Sequence, residues 1–221
     1  MSDRNSPFRD RRHAGRVLAR LLDHLRGRPD LLVLALPRGG VAVAFEVAHA
    51  LQAPLDVFVV RKLGYPGHEE YAMGAIATGG VQVLNPDTAC VAPAVVASVA
   101  AREQIELERR ELLYRGAHPP SELRGATVIV VDDGLATGST MRAAVLAIRR
   151  QRPDFICVAV PVGVPETCER LRCEADEVVC AATPMGLRAI GQAYDSFPQA
   201  SDAEVRTLLE AARLERALAA H

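Results

Sequence analysis

The chain has 221 residues, 49% of them apolar and 24% charged, with a formal net charge of −1. That balance supports one sizeable globular core and excludes a disordered chain, a basic field for nucleic acid and an acidic tail. No apolar run approaches the ~20 residues of a membrane span, and none follows the basic start as a secretory leader would require. The five cysteines (Cys90, Cys157, Cys168, Cys173 and Cys180) are odd in number and lack framework or zinc-knuckle spacing. They read as reduced thiols in a cytoplasmic protein with no membrane or nucleic-acid partner.

The first twenty residues carry Arg4, Arg9, Arg11, Arg12, Arg16 and Arg20 against Asp3 and Asp10. No aromatic residue interleaves with them, so they read as a solvated helix face rather than a binding arm. Val17, Leu18, Leu21, Leu22 and Leu25 set an amphipathic helix over 12–26. The apolar run 31–37 reads as a buried strand ending at Pro37-Arg38-Gly39-Gly40. A helix over 41–52 and a second buried strand over 55–60 follow.

From Arg61 to Gly74 the chain holds three glycines and a proline, too irregular for a packed element. This stretch includes Lys62, the only lysine among 26 basic residues. Lys62 stands in Val60-Arg61-Lys62-Leu63-Gly64, so the Gly-Lys-Ser/Thr phosphate loop is absent. His68, Glu69 and Glu70 read as a solvated tip, since His-Glu-Glu-Tyr is not a metal-binding HExxH. Residues 76–84 form a hairpin about Gly79-Gly80. A long helix spans 93–114 with Val95, Val96, Val99, Leu107, Leu113 and Tyr114 on one face; Glu106/Arg110 and Glu111/Arg115 are favourable i,i+4 pairs.

A strand over 126–131, a helix to about Arg150, a strand over 155–163, a short helix from Pro165 and a strand over 176–180 continue the alternation. Residues 181–200 lack a period, and 202–219 close as a helix. Alternating strands and helices predict a three-layer α/β/α fold, a mostly parallel central sheet with helices on both faces. The whole chain reads as one domain, with the irregular segments 61–75 and 181–200 as its functional surface.

The densest chemistry lies in VIVVDDGLATGST, residues 128–140. In an open parallel sheet, ligands bind outside the carboxyl ends of the strands, and Asp132 and Asp133 sit at one such end. Two adjacent carboxylates there cost repulsion and desolvation unless a ligand supplies donors or a cation. A ribose diol suits them. Ala136, Thr137, Gly138, Ser139 and Thr140 offer backbone amides, hydroxyls and a helix N-terminus to a phosphate.

Those thirteen residues resemble the PRPP-binding motif of the type I phosphoribosyltransferases. The resemblance extends to PRGG, VRKLG, the long central helix and MGLRAIGQAYDSFPQASDAEV, and is nearest to bacterial members of unassigned acceptor. It implies transfer of the 5-phosphoribosyl group from PRPP to a nitrogen nucleophile, a nucleobase or related amine, with release of pyrophosphate. Asp132 and Asp133 would hold the ribose hydroxyls and Mg²⁺, directly or through its waters. Residues 136–140 would take the 5-phosphate; Arg38, Gly39 and Gly40 would take pyrophosphate, joined by Arg61 and Lys62 from a closing loop. Met185, Ile190, Tyr194 and Phe197 would wall the acceptor, or merely anchor the last helix. The resemblance also implies a core over about 30–180, a mobile loop over 61–75 and a small irregular hood with the C-terminal helix over 181–221, and a homodimer is the family habit. The competing expectation is a PRPP- or nucleotide-sensing regulator without catalysis. A dinucleotide-binding dehydrogenase is excluded, because no Gly-x-Gly-x-x-Gly opens a helix.

Overall fold

The computed structural model describes residues 7–85, 88 and 91–219. In chain order the elements are α1 (Arg11–Leu21), β1 (Leu31–Ala35), α2 (Gly40–Leu51), β2 (Leu55–Val57), β3 (Val60–Tyr65), β4 (His68–Ala77), β5 (Val81–Leu84), α3 (Pro93–Arg115), β6 (Thr127–Val131), α4 (Ser139–Arg150), β7 (Phe155–Val162), α5 (Pro165–Leu171), β8 (Glu177–Ala182) and α6 (Asp202–Ala219). The side chains of Glu69 and Glu70, and Cys90, lie outside the described residues.

Five strands pair in parallel in the order β2-β1-β6-β7-β8. Every residue of β1 and β6 is buried, because helices cover both faces. Strand alternation divides the core in two. Val33, Ala35, Ile129 and Val131 join α1, α2, α3 and α6. Leu32, Leu34, Val128 and Val130 face α4 and α5 instead. The three-layer fold read from the sequence is therefore the observed one. Helix α2 is buried on nearly every side, and α1 crosses it closely at Gly15, where a Cβ would meet the Val43 carbonyl at 2.6 Å.

Two expectations are corrected. The strand expected over 55–60 stops at Val57, where the chain leaves the parallel sheet. Phe58 N–H still bonds the Ala35 carbonyl at 2.9 Å, while Val59 N–H turns to Thr78 Oγ1 at 2.9 Å. The irregular segment expected over Arg61–Gly74 is an antiparallel ribbon, β3 against β4, extended by β5 into a three-stranded sheet. Its glycines and proline serve a register shift at Leu63–Gly64–Tyr65 and a turn with Gly67 at φ +78°, rather than preventing pairing. Leu63 and Met73 are fully buried against the core, and the 65–68 tip is exposed.

Helix α3 forms as expected, with Pro93 in its first turn and both ion pairs in place: Arg110 Nε to Glu106 at 2.7 Å and Arg115 Nη1 to Glu111 at 2.9 Å. Its apolar stripe is narrower than the period suggested. Val95 is exposed, while Val96, Val99, Leu107 and Tyr114 are buried. Residues 181–200 hold only a short 3₁₀ turn beyond the end of β8. No helix among the described residues is long and apolar enough to cross a membrane.

Candidate active site

Strand β6 delivers Asp132 and Asp133 to its carboxyl end, beside the loop that follows β1. Gly39 and Gly40 permit that approach. A Cβ on Gly39 would run into Oδ2 of Asp133, and one on Gly40 would lie 2.7 Å from the Val131 carbonyl and 2.9 Å from Asp132 Cα. The Pro37–Arg38 peptide is cis. The Arg38 side chain has no hydrogen-bond or ion-pair partner among the described residues. Of the expected pyrophosphate loop, the two backbone glycines thus stand beside the acidic pair.

The carboxylates differ in their surroundings. Oδ1 of Asp132 accepts the Asp133 N–H at 2.8 Å, and no cation pairs with it among the described residues. Burial, with the charge of Asp133 beside it, raises its carboxyl well above the ordinary range. Burial also raises Asp133, against the opposing pull of Arg11, whose Nε donates to Oδ2 at 2.7 Å. Arg11 comes from the first turn of α1, in the basic stretch expected to be solvated. Arg12 and Arg16 fit that expectation, half-exposed and paired with Glu46; Arg11 does not.

Beyond the acids, the chain turns through Ala136–Thr140 into α4. Gly138 takes the left-handed conformation (φ 73°, ψ 1°) at the helix N-cap and leaves the helix without a side-chain cap. Thr167 supports this turn from below: its Oγ1 donates to the Ala136 carbonyl at 2.8 Å, and its methyl fills the space a Cβ on Gly138 would need. Leu135, buried, ties the turn to β7 through bonds to Val162 and Val164. The first amides of α4 and the hydroxyls of Thr137 and Ser139, 3.2 Å apart, face outward. Such a turn can receive an anion.

Lys62 and Arg61 part company. Neighbouring residues of a strand point to opposite faces. Lys62 Nζ donates to Ser139 Oγ at 2.6 Å, on the phosphate-type turn. Arg61 points to α3 and pairs with Glu103 through Nε at 3.0 Å and Nη2 at 2.6 Å. The ribbon therefore brings the lysine to the site and not the arginine.

The four expected acceptor residues separate likewise. Met185 is 94% exposed and touches nothing that defines the site. Ile190 packs on Gly134, where it would collide with a Cβ. Tyr194 is buried and donates its hydroxyl to the Asp133 carbonyl at 2.6 Å. Phe197 stacks on Tyr194 with ring centroids 4.8 Å apart. The aromatic pair packs with Phe8 and Ala14, so it anchors the N-terminal segment more than it walls an open pocket. Arg11, Thr167 and the anchoring of Tyr194 were not found from the sequence; each acts across a long separation and carries no local motif. Two open concavities, of about 870 and 780 Å³, lie against α6 rather than at the strand ends.

The carboxyl end of the parallel sheet thus presents twin carboxylates, a glycine pair and a turn that can receive an anion. Comparison with known proteins gives the family. A family model for the phosphoribosyl transferase domain matches residues 10–187, and the chain belongs to that family. Two Mycobacterium tuberculosis proteins, from strains CDC 1551 and H37Rv and each described as a "putative phosphoribosyl transferase", are 47% identical to it over 93% of this chain. The chain spans about half the length of those relatives, 47%. The crystal structure of TT1426 from Thermus thermophilus superposes with a TM-score of 0.83 at 44% identity, covering 91% of this chain and 97% of that one.

Proposed function

We propose that the chain transfers the 5-phosphoribosyl group of PRPP to a nitrogen nucleophile, a nucleobase or related amine, and releases pyrophosphate. The observation that carries this reading is the meeting of Asp132 and Asp133, Gly39-Gly40, the Ala136–Thr140 turn and Lys62 at one strand end. In this reading the amides and hydroxyls of 136–140 hold the 5-phosphate, and Asp132 and the free oxygen of Asp133 accept hydrogen bonds from the ribose diol. Arg38 and the amides of Gly39 and Gly40 receive the diphosphate. Lys62 shares its Ser139 contact with a phosphate oxygen. Positioning and charge stabilisation then do the chemistry, with no covalent intermediate.

The acidic pair fits Mg²⁺. That hard ion takes one or two carboxylates and draws the rest of its shell from phosphate, hydroxyl and water oxygens. Among the described residues no group of three or more His, Cys, Asp or Glu side chains could hold a metal alone. Asp132 and Asp133 would hold the ion, which when bound neutralises charge on the leaving diphosphate. The β3–β4 ribbon acts as the lid; its exposed tip closes over the donor and excludes water.

The test is pyrophosphate release from PRPP with Mg²⁺ and a panel of purines, pyrimidines and amines. Acceptor-dependent release is expected. PRPP binding without release under any acceptor would refute catalysis and favour a PRPP-sensing regulator, a reading supported by the burial of Tyr194 in packing rather than in an open acceptor pocket.

A further inference from the structure

Arg11 is held in place by more contacts than a solvated arginine needs. Asp10 caps α1, its carboxylate accepting the His13 N–H at 2.7 Å, which sets Arg11 in the first turn. Besides Nε to Asp133 at 2.7 Å, Nη1 donates to the Pro198 carbonyl at 2.6 Å, and the guanidinium carbon lies 3.7 Å from the Phe197 ring centroid. The Arg11 and Asp133 side chains are 11% and 16% exposed, so water screens this pair little. Phe197 stacks on Tyr194, whose hydroxyl grips the backbone carbonyl of the same Asp133. One cluster thus holds Asp133 by its carboxylate and by its main chain, while Asp132 next to it has only a backbone amide.

We propose that Arg11 is a positioning residue. It is the resident counter-ion of Asp133: it fixes which carboxylate oxygen faces the sugar and keeps a divalent cation off the acidic pair until the phosphoribosyl donor brings oxygen ligands of its own. This rests on the reading of the site as one for PRPP. The electrostatics are direct. When both acids are ionised, they and the Arg11 guanidinium sum to −1; without Arg11 the vicinal pair presents −2 to an incoming ion. A guanidinium bonded to Oδ2 also repels a divalent cation at the same carboxylate. Metal entry is then coupled to donor entry, because the phosphates and hydroxyls supply the missing negative charge and ligands.

The experiment follows Mn²⁺, a paramagnetic stand-in for Mg²⁺, through the loss of its free-ion resonance signal on titration with the full chain, with and without PRPP. The wild type is expected to bind Mn²⁺ weakly alone and tightly with PRPP. Arg11→Gln is expected to bind Mn²⁺ alone at least about tenfold more tightly, since it uncovers the second carboxylate. Arg11→Lys keeps the charge and should stay near wild type. Phe197→Leu removes the ring under the guanidinium and should move in the direction of Arg11→Gln by less; it carries the test if Arg11→Gln does not fold. A purely structural role for Arg11 would weaken metal binding or leave it unmoved. Equal Mn²⁺ affinity without PRPP in wild type, Arg11→Gln and Phe197→Leu would overturn the proposal, as would Arg11→Lys behaving like Arg11→Gln. If PRPP leaves the wild-type titration unchanged, the donor assignment fails, while the titrations without PRPP still decide the role of Arg11.

Discussion

Asp132 is the residue with most to lose in the ligand-free chain: half-buried, beside a like charge, and with no paired cation among the described residues. Its folded carboxyl titrates above its unfolded value. Its contribution to stability is therefore full below the ordinary carboxylate value of about 3.9 and is lost as pH rises through the raised folded value. Wherever both carboxyls are ionised, the pair costs stability. Asp132→Asn should accordingly raise the thermal midpoint of the ligand-free protein at pH 7, by a margin that shrinks in acid, while abolishing turnover of PRPP; calorimetric scans at both pH values check it. Gly39→Ala should lower the midpoint instead, because its Cβ runs into Asp133. Turnover is expected to fall by more than about tenfold while the midpoint drops by only a few degrees, the signature of a displaced site on an intact sheet. At this scale the sequence was readable wherever chemistry was written in consecutive residues. Asp132, Asp133 and Ala136–Thr140 are neighbours in the chain and so appear together. Arg11 meets Asp133 across 122 positions, and no local pattern records that meeting.

Elements were legible where hydrophobic period and length agreed, as in β1, β6, β7 and α3. They were obscured where glycine and proline did something other than interrupt. In β3 and β4 these residues accommodate register shifts and a tight turn, so a paired ribbon looked like a loop, and the opposite facing of Arg61 and Lys62 could not be inferred. Two further contacts show what secures the elements around the site. Arg115, 3% exposed, closes the end of α3 on the edge strand β2: Nε to Asp56 at 2.8 Å, Nη1 to Glu111, and Nη2 to the Val57 carbonyl. Asp56 in turn accepts both the N–H and the hydroxyl of Ser121, at 3.1 and 2.9 Å. Arg115→Ala leaves a buried carboxylate unpaired and should cost about 3–5 kcal/mol in urea unfolding. Tyr114 ties α3 to α6 through its hydroxyl and Asp202 at 2.6 Å. Burial, then that bond, pushes its phenol up to about 12. The folded value exceeds the unfolded one of about 10, so the stabilisation is whole below pH 10 and fades as pH climbs towards 12. Tyr114→Phe should lose part of the decline in thermal midpoint that the wild type shows across that window.

For the whole molecule, the fold arranges two sheets about one edge. The parallel sheet supplies the fixed side of the site, and the antiparallel ribbon crosses it from α3 to α4, with Lys62 resting on Ser139. If the ribbon is the lid, amide hydrogen exchange over residues 62–74 should slow on addition of PRPP and Mg²⁺, with little change in β1 or β6; an unaltered exchange rate in the ribbon would remove the lid from the mechanism. The fold class was legible as a whole because strand–helix alternation permits few arrangements. The closure of the site by the segments before α1 and after β8 was not.

That closure has a consequence for the order in which the protein matures. Backbone pairing joins Phe8 to Ala193 and Asp195, and Ser196 to Arg9, so the segment leading into α1 is stitched to one that lies beyond β8. A nascent chain on the ribosome can hold all five parallel strands once Ala182 has emerged, yet Asp133 still lacks the grip of Tyr194 and Arg11 still lacks the Phe197 ring. Competence therefore waits until the segment that follows β8 has been made and has met the one that precedes α1.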